Sequence, residues 1–255
     1  KGLRWIVDYD CKRPRTVLVS ESEDMTIKDL TFKRAGFWTI HLLYSQYCTI
    51  DGAVIRNNID GHGPSTDGID IDSSCNVEIS GCDVSVGDDG IALKSGSGSE
   101  GIRVNRPTSH VVIRGCTVRN GHGGIVIGSE TAAGIHDVVA ENCSFYGTDR
   151  GIRIKTRRGR GGEISDLVFK NLSMEGNLCP LAINMYYRCG AGAEEEGLFS
   201  LDAQPVGAET PHIRRVSVFG IRAQGCRASA GFVVGLPEAP VEDLVLSDCV
   251  FITDE

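Results

Sequence analysis

What the chain lacks narrows it first. No apolar run approaches the roughly 18 residues of a membrane-spanning helix. No stretch keeps a helical period beyond a turn or two. Helical bundles and helical membrane proteins are therefore excluded, and no membrane partner is expected. Neither a Cys-x-x-Cys pair nor a Cys/His cluster occurs, which removes the usual zinc sites. Positive charge is also short: the formal net charge is −8. One basic loop, Arg157-Arg158-Gly159-Arg160-Gly161-Gly162, has no aromatic residues interleaved, so no nucleic-acid partner is expected. Proline is sparse, 8 in 255 residues, and no linker or composition shift divides the chain. Residues 1–255 read as a single domain. The chain opens on Lys1 without a signal peptide and closes on Val250-Phe251-Ile252. A piece of a longer solenoid, cut at both ends, is the expectation.

What is present is a repeat. Three apolar residues spaced x, x+3, x+5 occur as Ile27/Leu30/Phe32, Ile50/Ala53/Ile55, Ile79/Cys82/Val84 and Ile113/Cys116/Val118. They continue as Ala140/Cys143/Phe145, Phe169/Leu172/Met174, Val218/Ile221/Ala223 and Leu246/Cys249/Phe251. Steps between first members are 23, 29, 34, 27, 29, 49 and 28 residues, and the longest marks an insertion around residues 188–211. A parallel β-solenoid repeats in this way, because each coil lies on the last and buries the same positions. The 32 glycines suit its tight corners. Cys82, Cys116, Cys143 and Cys249 share one inward slot. Their side chains would run in parallel, so reduced core thiols are expected rather than bridges.

The outward residues carry the chemistry. Ser65-Thr66-Asp67-Gly68 runs into Ile69-Asp70-Ile71-Asp72, and Gly87-Asp88-Asp89-Gly90 into Ile91-Ala92-Leu93-Lys94. Gly121-His122-Gly123-Gly124 opens Ile125-Val126-Ile127, and Arg150-Gly151 opens Ile152-Arg153-Ile154-Lys155. If the coils stack, Asp67, Asp88, Asp89, His122, Arg153 and Lys155 converge on one patch. A lone Asp-Gly corner is ordinary turn chemistry; four such units in order are not. Period-two alternation sends Arg153 and Lys155 to the same face.

The ordered set Ser-Thr-Asp-Gly, Gly-Asp-Asp, Gly-His-Gly and Arg-Ile-Lys resembles glycoside hydrolase family 28, the polygalacturonases and related pectin hydrolases. The likeness runs from about Phe37-Trp38-Thr39-Ile40 to the end. It implies an all-β fold, a right-handed parallel β-helix, that hydrolyses galacturonan with inversion and without metal or other cofactor. Ser65 departs from the family, which usually has Asn there. Glycosidic cleavage needs one acid to protonate the leaving oxygen and one carboxylate to activate water or attack. By the resemblance Asp88 is that acid, Asp67 and Asp89 handle the water, and His122 tunes the acid. Arg153 and Lys155 would hold a substrate carboxylate, Tyr187 would meet the neighbouring sugar, and Arg158 and Arg160 would add charge for the polysaccharide. The insertion at 95–109 resembles bacterial exo-acting members. Carboxylates on adjacent strands should lie about 5 Å apart, a spacing nearer that of retaining enzymes. A rhamnogalacturonan hydrolase, a calcium-dependent pectate lyase and a non-catalytic glycan-binding solenoid stay open as other readings.

Overall fold

A computed structural model describes residues 13–58, 63–190 and 197–254. Cys11, His62 and part of the 188–211 insertion lie outside them. The described residues wind into a right-handed parallel β-helix of three sheets, each with eight parallel strands. Successive coils contribute one strand to each sheet, as right-handed parallel crossovers do.

The x and x+5 positions form continuous ladders. Ile50, Ile79, Ile113, Ala140, Phe169 and Val218 pair in register along the second sheet. Ile55, Val84, Val118, Phe145, Met174 and Ala223 do so along the third. Between them the x+3 residues fill the corner. Inside the stack burial is complete or nearly so. At the end coils it falls away: Leu30 is 51% exposed and Leu246 44%, where only one of the two neighbouring coils is among the described residues. Each interior Ile or Val gains about 1.5–3 kcal/mol from burial, and an end-coil residue gains only part of that.

One backbone position explains why the chain turns at the same place in each coil. Residue x+2 holds a positive φ of 48–68° throughout, as Asp29, Gly52, Gly81, Gly115, Asn142, Asn171, Gly220 and Asp248. Gly, Asn and Asp tolerate that left-handed conformation and other residues resist it. Cys82, Cys116 and Cys143 are buried and free, and all nine cysteines among the described residues are unbridged.

The first sheet positions the candidate site. Its outward rows run Asp70, Ala92, Val126, Arg153 and, two residues on, Asp72 and Lys94, with Lys155 two coils further. The 95–109 insertion contributes a two-turn helix, Gly98–Val104, before the chain re-enters the second sheet at Thr108–Arg114.

Candidate active site

Asp67, Asp88 and Asp89 each offer a carboxylate oxygen within 4.8 Å of the others. Stacking creates this. The Asp88 N–H donates to the Thr66 carbonyl at 3.0 Å, and the Asp89 N–H reaches Asp67 Oδ1 at 3.3 Å. One coil later the His122 N–H donates to the Asp88 carbonyl at 2.8 Å. His122 therefore sits directly over the acid in the coil order, as its motif predicts.

The three acids have different surroundings. Asp89 is 1% exposed and takes Lys155 Nζ at 2.5 Å and Arg153 Nη1 at 3.3 Å. Burial works against its charge, but Lys155, Arg153 and Lys94 overcome that and hold the carboxyl below its ordinary value. Both cations reach back across two coils. Gly123 keeps that path open: a Cβ there would collide with Val126 and stand 3.5 Å from Asp89 Oδ1 and 3.6 Å from the Arg153 side chain. Asp67 has no such cation in hydrogen-bond range. Burial, with help from the Asp88 and Asp89 charges and against Lys94, pushes its carboxyl up to about 6. Asp88 is half-buried and accepts a bond from Ser65 Oγ at 2.5 Å.

Tyr187 lies beside the cations, its ring centre 5.2 Å from Lys155 Nζ and 5.5 Å from the Arg153 guanidinium carbon. Tyr186 faces elsewhere and donates its hydroxyl to the Ser200 carbonyl at 3.3 Å. Asp67, Asp88, Asp89, Lys155 and Tyr187 line one open cavity together with Trp38, Lys94, Glu130, Arg160 and Cys189. His122 stands at its edge through Asp88, and Arg153 through Asp89.

Arg158 is not brought to this group. Its guanidinium forms a two-pronged pair with Glu238 at 2.5 and 2.9 Å. The remaining donors go to the carbonyls of Gly197, Leu198 and Ser200 at 2.9–3.1 Å. Its charge is consumed in fastening the insertion to the 236–240 turn. Arg160, two residues on, does reach the cavity, 3.6 Å from Glu130, and donates to Ser97 Oγ at 2.8 Å, tying the 95–109 insertion to the site.

Three participants escaped the motif reading, and a fourth, Lys94, reads from strand alternation only as an outward residue beside the site. Lys94 is buried at the centre, 3.6 Å from Asp67 and Asp70 and 3.4 Å from Glu130, with its ammonium 4.6 Å above the Trp38 ring. Carboxylates on every side hold its charge against burial. Asp149 receives His122 Nδ1 at 2.6 Å; that bond raises the histidine's pKa above the ordinary value despite partial burial. Asp70 and Glu130 complete the set. Asp149 was within reach, since it precedes Arg150-Gly151 as His122 precedes Gly123-Gly124. So was Asp70, which fills the outward slot of its strand that Arg153 fills later.

Three close carboxylates are also raw material for a divalent cation. Here Lys155 and Arg153 pair with Asp89 and Lys94 stands 3.6 Å from Asp67, so two of the three carboxylates already face the protein's own cations and the set suits a divalent ion poorly.

A family model for glycosyl hydrolases family 28 matches residues 6–199. The chain belongs to that family. A probable polygalacturonase of Vitis vinifera is 37% identical over 164 residues, 64% of this chain and 33% of its own length. An exo-poly-alpha-D-galacturonosidase of Dickeya chrysanthemi is 29% identical, over 69% of this chain and 28% of that protein. Among solved structures, the hyperthermoactive exopolygalacturonase of Thermotoga maritima superposes with a TM-score of 0.78 at 26% identity, covering 94% of this chain and 52% of that one. The chain thus spans about a third of the length of these curated relatives.

Proposed function

We propose that the protein hydrolyses α-1,4-galacturonosyl bonds of polygalacturonan, removing residues from a chain end and inverting the anomeric carbon. The observation that carries the reading is the convergence of three carboxylates and two outward cations on one strand row, in a chain of this family. Asp88, half-open to the cavity and gripped on one oxygen by Ser65, protonates the leaving oxygen with the other. Asp67 and Asp89 hold the attacking water and take its proton. Asp89 is ionised and orientated by Lys155 and Arg153. His122, charged by its bond to Asp149, stabilises the Asp88 region as charge shifts there. Lys155 and Arg153 keep donors for a uronate carboxylate, and Tyr187 offers a ring face to the adjoining sugar.

Carboxylate spacing by itself leans toward retention. Inversion is supported by the state of the acids: Asp89 is tied to two cations and Asp67 is 4% exposed, which makes both poor nucleophiles and good water holders. Exo action is supported by the 95–109 insertion with its helix Gly98–Val104, tied to the cavity by the Arg160–Ser97 bond. A pectate lyase would need calcium at acids of which two, Asp89 and Asp67, here face the protein's own cations.

Digestion of polygalacturonate with product sizing tests the reading. The expected result is monomeric or dimeric galacturonate with new reducing ends, no unsaturated product, no loss with chelator, and the β-anomer formed first by NMR. Equal cleavage of the methyl-esterified polymer would show that the carboxylate is not read and would favour a rhamnogalacturonan or neutral-sugar substrate.

A further inference from the structure

Behind Asp67 lies a carboxyl that this reaction leaves unused. Asp70 is 0% exposed, and no N–H or O–H reaches either of its oxygens. The nearest cation is Lys94 at 3.6 Å, which stands at the same distance from Asp67. Asp89 has Lys155 and Arg153 to itself, so a single ammonium faces two wholly buried carboxyls. Asp67 is the better served of the two, since the Asp89 N–H also reaches it. Asp70 instead faces the Asp67 carboxyl across that shared ammonium. Two carboxyl oxygens make a hydrogen bond only when one of them carries a proton.

The other groups around Asp70 place no donor within hydrogen-bond range of it. His41, its register partner on the preceding strand, has both ring nitrogens unbonded and lies 3.6 Å from Asp72. Burial pushes that imidazole down and keeps it neutral. Asp72, on the same strand as Asp70, is bound by the Gly96 N–H at 3.0 Å. From the following strand come Asp89 and Lys94, and from the next loop Glu130. Two ionised carboxylates sharing one buried ammonium would leave a charge uncompensated.

We propose that Asp70 is a proton-holding positioning residue: it keeps one proton, donates it to Asp67, and so leaves Asp67 ionised and aimed at the attacking water. Burial and the Asp67 charge both favour the neutral form of Asp70, and the bond it donates favours the charged form of Asp67. During turnover the water's proton passes to the Asp67–Asp89 pair and the Asp88 proton to the leaving oxygen, while the Asp70 proton stays in place. The proposal rests on Asp67 being a water-holding carboxylate of the hydrolase.

Two variants and one spectrum test it. Asp70→Asn keeps a donor of the same shape; Asp70→Leu keeps the volume and removes the donor. Asp70→Leu should lower kcat by about tenfold or more, up to the 10²–10⁴-fold of lost acid–base function itself, and move the acid limb of the pH profile upward. That direction follows because Asp67 without its donor stays protonated to higher pH. Asp70→Asn should recover most of the rate and restore the limb. Circular dichroism melts show whether Asp70→Leu folds. Independently of turnover, infrared difference spectra at neutral pH should show a protonated-carboxyl stretch in the wild type that is absent from Asp70→Asn. That arm reads the proton even if no pectic substrate is cut. An unchanged spectrum in Asp70→Asn, or a rate loss in Asp70→Asn as deep as in Asp70→Leu, overturns the proposal.

Discussion

The first and second sheets carry the same chemistry outward and do different things with it. On the second sheet, opposite charges on neighbouring coils pair in the open: Arg114 with Glu78, Lys170 with Glu141 at 2.5 Å, Arg215 with Asp166 at 2.7 Å. Those of Arg215 and Asp166 are 41% and 42% exposed. On the first sheet, Lys155 with Asp89 and Lys94 with Asp67 are 2–7% exposed. Strand alternation places both sets alike. The difference is the cover: Trp38, Glu130, Tyr187, Cys189 and Gly190 line a cavity over the first sheet's charges, and Ser97 of the 95–109 insertion is tied to it through Arg160. An exposed ladder is worth little because water screens it. A walled one cannot shed its charges, so it shifts protonation and fixes geometry. Charge on a β-helix becomes a site where loops remove the water.

The largest test of that contrast is Asp88→Asn. It should cost about 10²–10⁴-fold in kcat, the usual loss for a general acid, with the thermal melt unchanged; a near-wild-type rate places the acid elsewhere. Next comes Lys94→Met. Removing one partner of a buried ion set should destabilise by about 3–5 kcal/mol, read by urea titration, and should also abolish activity. A loss below about 1 kcal/mol, the value of an exposed pair, would put Lys94 on the footing of the second sheet.

Acid titration should separate the faces by sign. Asp67 is pushed up to about 6, so between the ordinary 3.8 and about 6 the folded state binds more protons than the unfolded, and its contribution to stability rises as pH falls through that window. Asp166, held down to about 2 by Arg215, contributes stability above its unfolded value and loses it as pH falls from 3.8 toward 2. Wild-type melts minus Asp67→Asn melts isolate the first effect; a difference that grows in the opposite direction refutes it. The smallest effect belongs to Arg114→Ala, under about 1 kcal/mol for an exposed pair and without consequence for catalysis.

The contrast between Arg153 and Arg158 belongs to the same lesson. Arg153 sits in a strand, where period two predicts its direction, and it does face the acids. Arg158 sits in a loop, where no period operates, and Glu238, eighty residues on in the chain, captures it. Its basic neighbourhood in the sequence carried no sign of that partner. Ser65 illustrates the converse: read as a departure from the family pattern, it proves to hold Asp88, a contact that only the stacking of the two turns creates.

By itself the sequence determined the coil, its inward columns, the thiol stack and the row of strands that presents the three aspartates, His122, Arg153 and Lys155. These are consequences of local rules: a side chain in a strand alternates, a left-handed corner takes Gly, Asn or Asp, and a repeat stacks like positions on like. Tertiary structure alone decided which charges meet. Lys94 between Asp67 and Asp70, two cations reaching across two coils to Asp89, and Arg158 diverted to a loop all depend on coil-to-coil offset and on how the loops lie. Burial then sets the protonation of each group, and burial is a property of the neighbours that the fold assembles.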